Sequence, residues 1–229
     1  MRLTKFFTLF LLCLLAHQGL QAQTHYEAQI SVGGKAGATL SKVNFNPTVP
    51  QTLLSGFMAG ATFRYIEERH FGLIGELNVE QRGWKEKFEG YDYQYQRTLT
   101  YVQLPVMTHV YFGGTRFHGY FNAGPEVGFM IASGTKSNFD YEHFETIEGF
   151  PSENRSTSQF AMKINNRFDY GISAGVGIEW FKDRRHSFTL EGRFYYGLND
   201  VFSNHKTDVF SGSSSMSIMV TMGYYYRLK

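Results

Sequence analysis

The chain's 229 residues carry 22 basic and 20 acidic side chains, 22 Phe, 15 Tyr and a single Cys. That length suffices for one large domain, and so even a charge balance argues against a broad nucleic-acid-binding surface. One cysteine, Cys13, cannot staple a fold with disulfides, so packing and ladder hydrogen bonds must hold the domain together.

The first stretch reads as a secretory signal. Arg2 and Lys5 form a basic start, Phe6 to Ala16 is an apolar run broken only by Thr8, and Gln18 to Ala22 turns polar and small. The run is too short to span a bilayer as a helix. Cleavage is expected near Ala22, giving a signal peptide over 1–22 and one domain over 23–229. Cys13 lies inside the apolar run behind Leu12, where lipoprotein processing needs a small residue, so no lipid anchor is expected. Loss of Arg2 and Lys5 leaves 20 basic against 20 acidic groups.

Alternation of apolar and polar residues then dominates. Strand one, Ile30 to Ser41, sets Ile30, Val32, Ala36, Ala38 and Leu40 against Ser31, Lys35, Thr39 and Ser41. After a loop with Pro47 and Pro50, strand two (Ser55 to Ile66) sets Phe57, Ala59, Ala61, Phe63 and Tyr65 against Thr62 and Arg64. A tight turn, Glu67 to His70, leads to strand three, Phe71 to Trp84, where Leu73, Leu77 and Val79 oppose Glu76, Asn78, Glu80 and Arg82. Lys85 to Gln96 is a charged, tyrosine-rich loop. Strand four, Thr98 to Phe112, opposes Val102, Leu104, Val106 and Val110 to Gln103, Met107 and His109. Following the short turn Gly113 to Arg116, strand five (Phe117 to Ala132) opposes Phe121, Ala123, Val127, Phe129 and Ile131 to Asn122 and Glu126. The longest loop, about Ser133 to Asn166, precedes strand six, Phe168 to Trp180, with Asp169, Ser173 and Glu179 on its polar face. Lys182 to Arg185 is a short charged turn. Strand seven sets Phe188, Leu190, Phe194, Tyr196 and Leu198 against Thr189, Glu191, Arg193 and Tyr195. A serine-rich loop leads to strand eight, whose outer row runs from Met216 to Leu228.

Connections thus run long, short, long, short, long, short, long. Period-two alternation marks strands with one apolar and one polar environment, and that loop rhythm suits an antiparallel barrel crossing a membrane repeatedly. Each strand meets the roughly 9–11 residues that a tilted crossing needs and exceeds the soluble mean of about 5–6. Alternation alone does not tell inside from outside. Aromatics do: Phe63, Tyr65, Phe71, Tyr111, Phe112, Phe117, Trp180, Phe181, Phe188, Tyr224 and Tyr226 gather near short-turn ends. Trp84, Phe129, Phe168, Tyr170, Phe194 and Tyr196 gather near long-loop ends. Two girdles are what a bilayer imposes. The expected fold is all-β, an eight-stranded antiparallel up-and-down transmembrane β-barrel. Its termini and short turns are periplasmic and its long loops lie outside.

Leu99-Thr-Tyr-Val-Gln-Leu-Pro-Val-Met107, Gly119-Tyr-Phe-Asn-Ala-Gly-Pro-Glu-Val-Gly-Phe129 and Gly33-Gly-Lys-Ala-Gly-Ala-Thr-Leu-Ser41 resemble the outer-membrane β-barrel "porin family" of Bacteroidetes. Phe71 to Asn78 and Gly175-Val-Gly177 fit the same pattern. The Leu104-Pro105 pair and Ala123-Gly-Pro-x-x-Gly128 are the distinctive parts. The resemblance covers nearly the whole mature chain and implies an outer-membrane barrel without catalytic residues. Two departures stand out. The chain ends Tyr224-Tyr-Tyr-Arg-Leu-Lys229, with Leu228 where such barrels usually carry an aromatic. Pro105 and Pro125 sit inside strands, where each removes a ladder bond, and bulges are expected there.

Other motifs carry less. Gly171-Ile-Ser173-Ala-Gly175 matches G-x-S-x-G, yet lies mid-strand with no helix after it, so small lumen residues explain it better than a nucleophile elbow. His25, His70, His109, His118, His143, His186 and His205 lack metal-pair spacing. His143 lies among Asp140, Glu142 and Glu145, a solvated acidic loop. Glu76, Glu80, Arg82, Glu126, Glu179, Glu191 and Arg193, with Lys35 and Arg64 as partners, form a lumen charge set. In a barrel just wide enough for side chains, it is either a salt-bridged plug or an ion path. Tyr91, Tyr93, Tyr95, Phe139, Tyr141, Phe144 and Phe150 in the long loops either bind proteins or glycans or pack on one another. The expected role is structural or adhesive, with no cofactor. Expected partners are outer-membrane lipid and lipopolysaccharide, the barrel-assembly machinery, and an extracellular protein or glycan at the long loops, with no nucleic acid. Rival roles are a small pore, a lipid-modifying barrel enzyme and a soluble lipocalin-like carrier.

Overall fold

The computed structural model describes residues 28–68, 70–152, 156–164, 166–202 and 209–229. The signal segment with its cleavage position, Cys13, His25 and His205 lie outside these residues. Eight long strands form the molecule: β1 (Gln29–Asn46), β2 (Leu54–Glu68), β3 (Phe71–Glu86), β4 (Tyr95–Gly113), β5 (Phe117–Ser137), β6 (Phe168–Phe181), β7 (His186–Asp200) and β8 (Gly212–Arg227). Each pairs antiparallel with its chain neighbours, and β1 also pairs with β8, as in Ala36 opposite Met222, so the sheet closes on itself. Closure leaves no free edge on the sheet, the condition for a sheet in hydrocarbon. No helix among the described residues is long and apolar enough to cross a membrane.

Side-chain parity decides inside from outside. Val32, Leu40, Leu77, Leu104, Val176, Ile178 and Val220 are exposed on the outer wall, while Lys35, Arg64, Glu76, Glu80, Arg193 and Thr221 are buried within the ring. Apolar-out, polar-in is the membrane dyad, the reverse of what a soluble carrier barrel would show.

The strands outrun the alternation. β1 continues through Lys42–Asn46, which pairs with Gly212–Met216. β4 starts at Tyr95 and β5 runs to Ser137, with Tyr95 opposite Ser137. A two-residue strand, Gln51–Thr52, pairs with Lys85 and Glu86 of β3, so the ends of the Lys85–Gln96 loop belong to the sheet. Above the membrane the outer face need not be apolar, and alternation stops although the ladder does not.

Three aromatics leave the girdles. Trp84 and Tyr111 are buried and Phe181 is half-buried at the lumen mouth, because they share parity with the lumen residues Arg82, His109 and Glu179 on their own strands. Proximity to a rim placed them wrongly, whereas the period of two places them inside. The prolines also differ from expectation. Register is unchanged across Pro105 and Pro125: the β3–β4 ladder lapses between Gly75–Val106 and Asn78–Gln103 and resumes in step. The β4–β5 ladder does the same between Pro105–Glu126 and Thr108–Ala123. The register shift in that pair falls at Thr100/Tyr101 instead. The prolines therefore sit in gaps of the ladder, not at bulges.

Candidate functional site

Inward side chains stack in layers along the barrel. At the short-turn end, Arg64 grips Glu179 in a fork, both Nη atoms donating at 2.7 Å. Ser187 Oγ donates to the same carboxylate at 2.5 Å, and the Arg64 guanidinium lies 4.3 Å from the Tyr225 ring centre. Forked guanidinium–carboxylate pairs combine charge with two aligned hydrogen bonds.

Glu76 is the hub of the middle layer. Lys35 Nζ donates to its Oε1 at 2.7 Å, and Arg193 donates through Nη1 and Nη2 at 2.8 and 2.9 Å. Asn78 adds a fourth donor at 2.8 Å. Arg193 Nε reaches Glu191 at 2.8 Å, and Lys35 lies 3.6 Å from Glu191, so two cations and two carboxylates form one network.

Higher still, Arg82 donates to Asp169 and lies 3.8 Å from Glu80. Its guanidinium sits between the rings of Tyr101 and Tyr195, at 3.9 and 4.5 Å, a desolvated cation–π arrangement. Tyr195 donates to Asp169 at 2.9 Å, and Gln103 donates to Glu80. Glu126 stands apart: it accepts from Ser173 Oγ at 2.5 Å, and its Oε1 has no hydrogen-bond partner.

The structure thus brings Glu76, Glu191 and Arg193 together with Lys35. Arg82 reaches Glu80 only loosely, Glu179 belongs to Arg64, and Glu126 joins no ion pair among the described residues. Asp169 is the functional-site residue that sequence reading left out. Its place on the polar face of β6 was the available signal, but its partner Arg82 is 87 positions away in the chain. Ser173, the serine of the G-x-S-x-G match, is buried against Glu126. The flanking glycine explains the motif: a Cβ on Gly171 would come within 2.8 Å of the Tyr195 ring.

A second closure lies above the charge layers. Trp84, Tyr95, Leu99, Tyr101, Met130, Phe160, Phe202 and Phe210 form one buried cluster with Phe45 and Phe88, and Tyr93, Phe139, Tyr141, Phe144 and Phe150 pack against it. Phe45 meets Trp84 edge-on at 5.3 Å and Tyr95 meets Phe160 at 4.6 Å. Of the loop aromatics named from sequence, Tyr91 alone is exposed, stacked on Tyr93 at 5.9 Å. Buried Gln159 ties the long β5–β6 connection to β3 through Glu86 at 2.9 Å. In that connection His143 Nδ1 contacts Asp140 at 3.0 Å, and Asp140 accepts the amides of Glu142 and His143. These hydrogen bonds, led by the one with His143, hold the Asp140 carboxyl below its ordinary range. No group of three or more His, Cys, Asp or Glu among the described residues has metal-binding geometry.

At the opposite mouth a cavity of about 310 Å³ is lined by Arg64, His70, His109, His118, Glu179 and Arg227 among others. Its inner end meets the Arg64–Glu179 fork.

Known proteins agree with this architecture. No curated protein sequence matches the chain. Among solved structures, OprG from Pseudomonas aeruginosa superimposes with a TM-score of 0.51 at 12% identity, over 89% of this chain and 97% of that one, and shares the fold. Ail of Yersinia pestis, solved with the heparin analogue sucrose octasulfate, gives 0.40 at 12% identity over 86% and 99% of the two chains. Neisserial surface protein A gives 0.42 at 9% identity over 86% and 98%. The sequence profile of the outer membrane protein beta-barrel domain matches residues 21–203. With a closed eight-strand ring that turns its apolar face outward, the chain belongs to the outer membrane protein beta-barrel domain family and resides in the outer membrane.

Proposed function

We propose that this chain is a closed, non-catalytic barrel that serves the envelope as a structural or surface-interaction protein. The observation that carries the reading is double closure: the ion-paired layers around Glu76, Arg193 and Arg82 fill the lumen, and the Trp84–Phe160–Phe202 cluster covers its outer mouth. An eight-stranded barrel has room for side chains or a channel, not both. Ser173 spends its hydroxyl on Glu126 inside the wall, which speaks against hydrolase chemistry there.

In this reading residues 1–22 are a removable signal and 23–229 the barrel, inserted by the barrel-assembly machinery. The Bacteroidetes origin rests on Leu104-Pro105 and the Ala123–Gly128 motif. Lipopolysaccharide meets the outer girdle of Phe129, Phe168 and Phe194. Apart from exposed Tyr91, the loop aromatics are consumed by the cap, so an extracellular protein or glycan would meet the polar outer surface, where Asp140, Glu142 and Glu145 are exposed. No cofactor is required.

Planar-bilayer recording tests the closure. The purified full-length barrel should give no resolvable conductance steps in molar salt. Steady large conductance would replace this reading with the small pore, the periplasmic-side cavity then being its vestibule.

A further inference from the structure

The short turn between β6 and β7 concentrates positive charge. Lys182, Arg184 and Arg185 are exposed there. The single carboxylate among them, Asp183, is also exposed, and its Oδ1 accepts the amides of Arg185 at 2.8 Å and His186 at 2.9 Å. The Arg227 amide donates to the Arg185 carbonyl at 2.8 Å, drawing the end of β8 against the turn. Arg185 Nη1 donates to Tyr226 Oη at 3.4 Å on the outer aromatic row, while Arg184, Arg185 and Arg227 also edge a small hollow at the barrel mouth with Ser31, Arg64, Phe181 and Ser187. Glu179, a lumen carboxylate on the strand that leads into this turn, is taken by Arg64.

Directly toward the membrane from this turn, the outer wall holds an apolar groove of about 260 Å³ lined by Ile178, Trp180, Phe188, Leu190 and Met222. Trp180 stacks on Phe188 at 5.8 Å, and Phe188 packs on Tyr224 at 5.5 Å. Tyr224 in turn meets His186 Nδ1 at 2.6 Å, so the aromatic row runs straight into the cationic turn. Cations at headgroup depth stand over an apolar slot at acyl depth.

We propose that this face is a binding site for an acidic glycerophospholipid of the inner leaflet, with its phosphate at Arg184 and Arg185 and an acyl chain along Trp180 and Leu190. The leaflet assignment rests on the short turns facing the periplasm. Charge complementarity selects the occupant: each basic side chain near a membrane surface attracts anionic lipid, and on this turn Lys182, Arg184 and Arg185 outnumber the one carboxylate, Asp183.

Trp180 is a built-in reporter. It is one of two tryptophans in the chain, and the other, Trp84, is buried in the cap away from lipid. Full-length barrel in phosphatidylcholine liposomes should lose Trp180 fluorescence at a lower mole fraction of dibrominated phosphatidylglycerol than of dibrominated phosphatidylcholine. Arg184→Gln and Arg185→Gln should each reduce that preference about fivefold, molar salt should reduce it further, and Lys136→Gln at the far rim should leave it unchanged. Both arginines are exposed turn residues, and the heat-dependent gel shift of folded barrels verifies that the variants fold. Equal quenching by the two lipids, or a preference that survives in the double variant, overturns the site. Liposome leaflets are identical here, so failure does not bear on topology. A separate arm does: labelling of Lys182→Cys by an impermeant maleimide in intact cells would overturn the inner-leaflet assignment.

Discussion

Glu76 is the side chain on which most of the lumen turns. It takes four donated hydrogen bonds, two from Arg193 and one each from Lys35 and Asn78, and all of them are buried. Removing one member of a buried ion network leaves its partner charge without compensation, which costs about 3–5 kcal/mol. Arg193→Met is therefore expected to destabilise the barrel by that amount in urea unfolding from detergent or liposomes. Glu126→Gln is expected to cost about 1 kcal/mol or less, because the amide oxygen still accepts from Ser173 and no ion pair is lost. Similar losses for the two variants would mean that the network does not hold the lumen. The sequence put Glu76, Glu191 and Arg193 on one polar face but could not pair them, since 117 positions separate Glu76 from Arg193. It also grouped Glu126 with the ion-paired set, a distinction that only side-chain geometry makes.

At the scale of the strand, parity was legible and strand ends were not. All eight strands carry the alternation that sequence reading assigned, because lipid tolerates only apolar groups on the outer face. Past the membrane that pressure ends, so the Lys42–Asn46 end of β1 and the Ser133–Ser137 end of β5 could not be seen as strand. Trp84 and Tyr111 illustrate the converse: a type preference for interfaces yields to the period of the strand. Val176, 63% exposed near the middle of β6, tests the outer face. Val176→Arg should lower stability by about 2–4 kcal/mol, whereas Lys136→Arg outside the bilayer should change it little. Equal, small effects would argue that β6 does not face hydrocarbon.

For the whole molecule the decisive property is that both mouths differ. One carries long connections folded into an aromatic cap, the other short turns rich in arginine and histidine. Beyond residue 22 the chain has no cysteine, so single cysteines report topology cleanly. Glu145→Cys should react with an impermeant maleimide on intact cells, and Lys182→Cys only after the outer membrane is permeabilised. The reverse pattern would invert the barrel. The sequence by itself determined the strand number, the alternation and the long–short rhythm, because these are local consequences of a two-residue period meeting a bilayer of fixed thickness. Tertiary structure alone decided which lumen charges pair, that the loop aromatics close the mouth instead of facing outward, and that a cationic turn stands over an apolar groove. Each of these depends on side chains brought together by ring closure from strands far apart in the chain, and no local pattern encodes that distance.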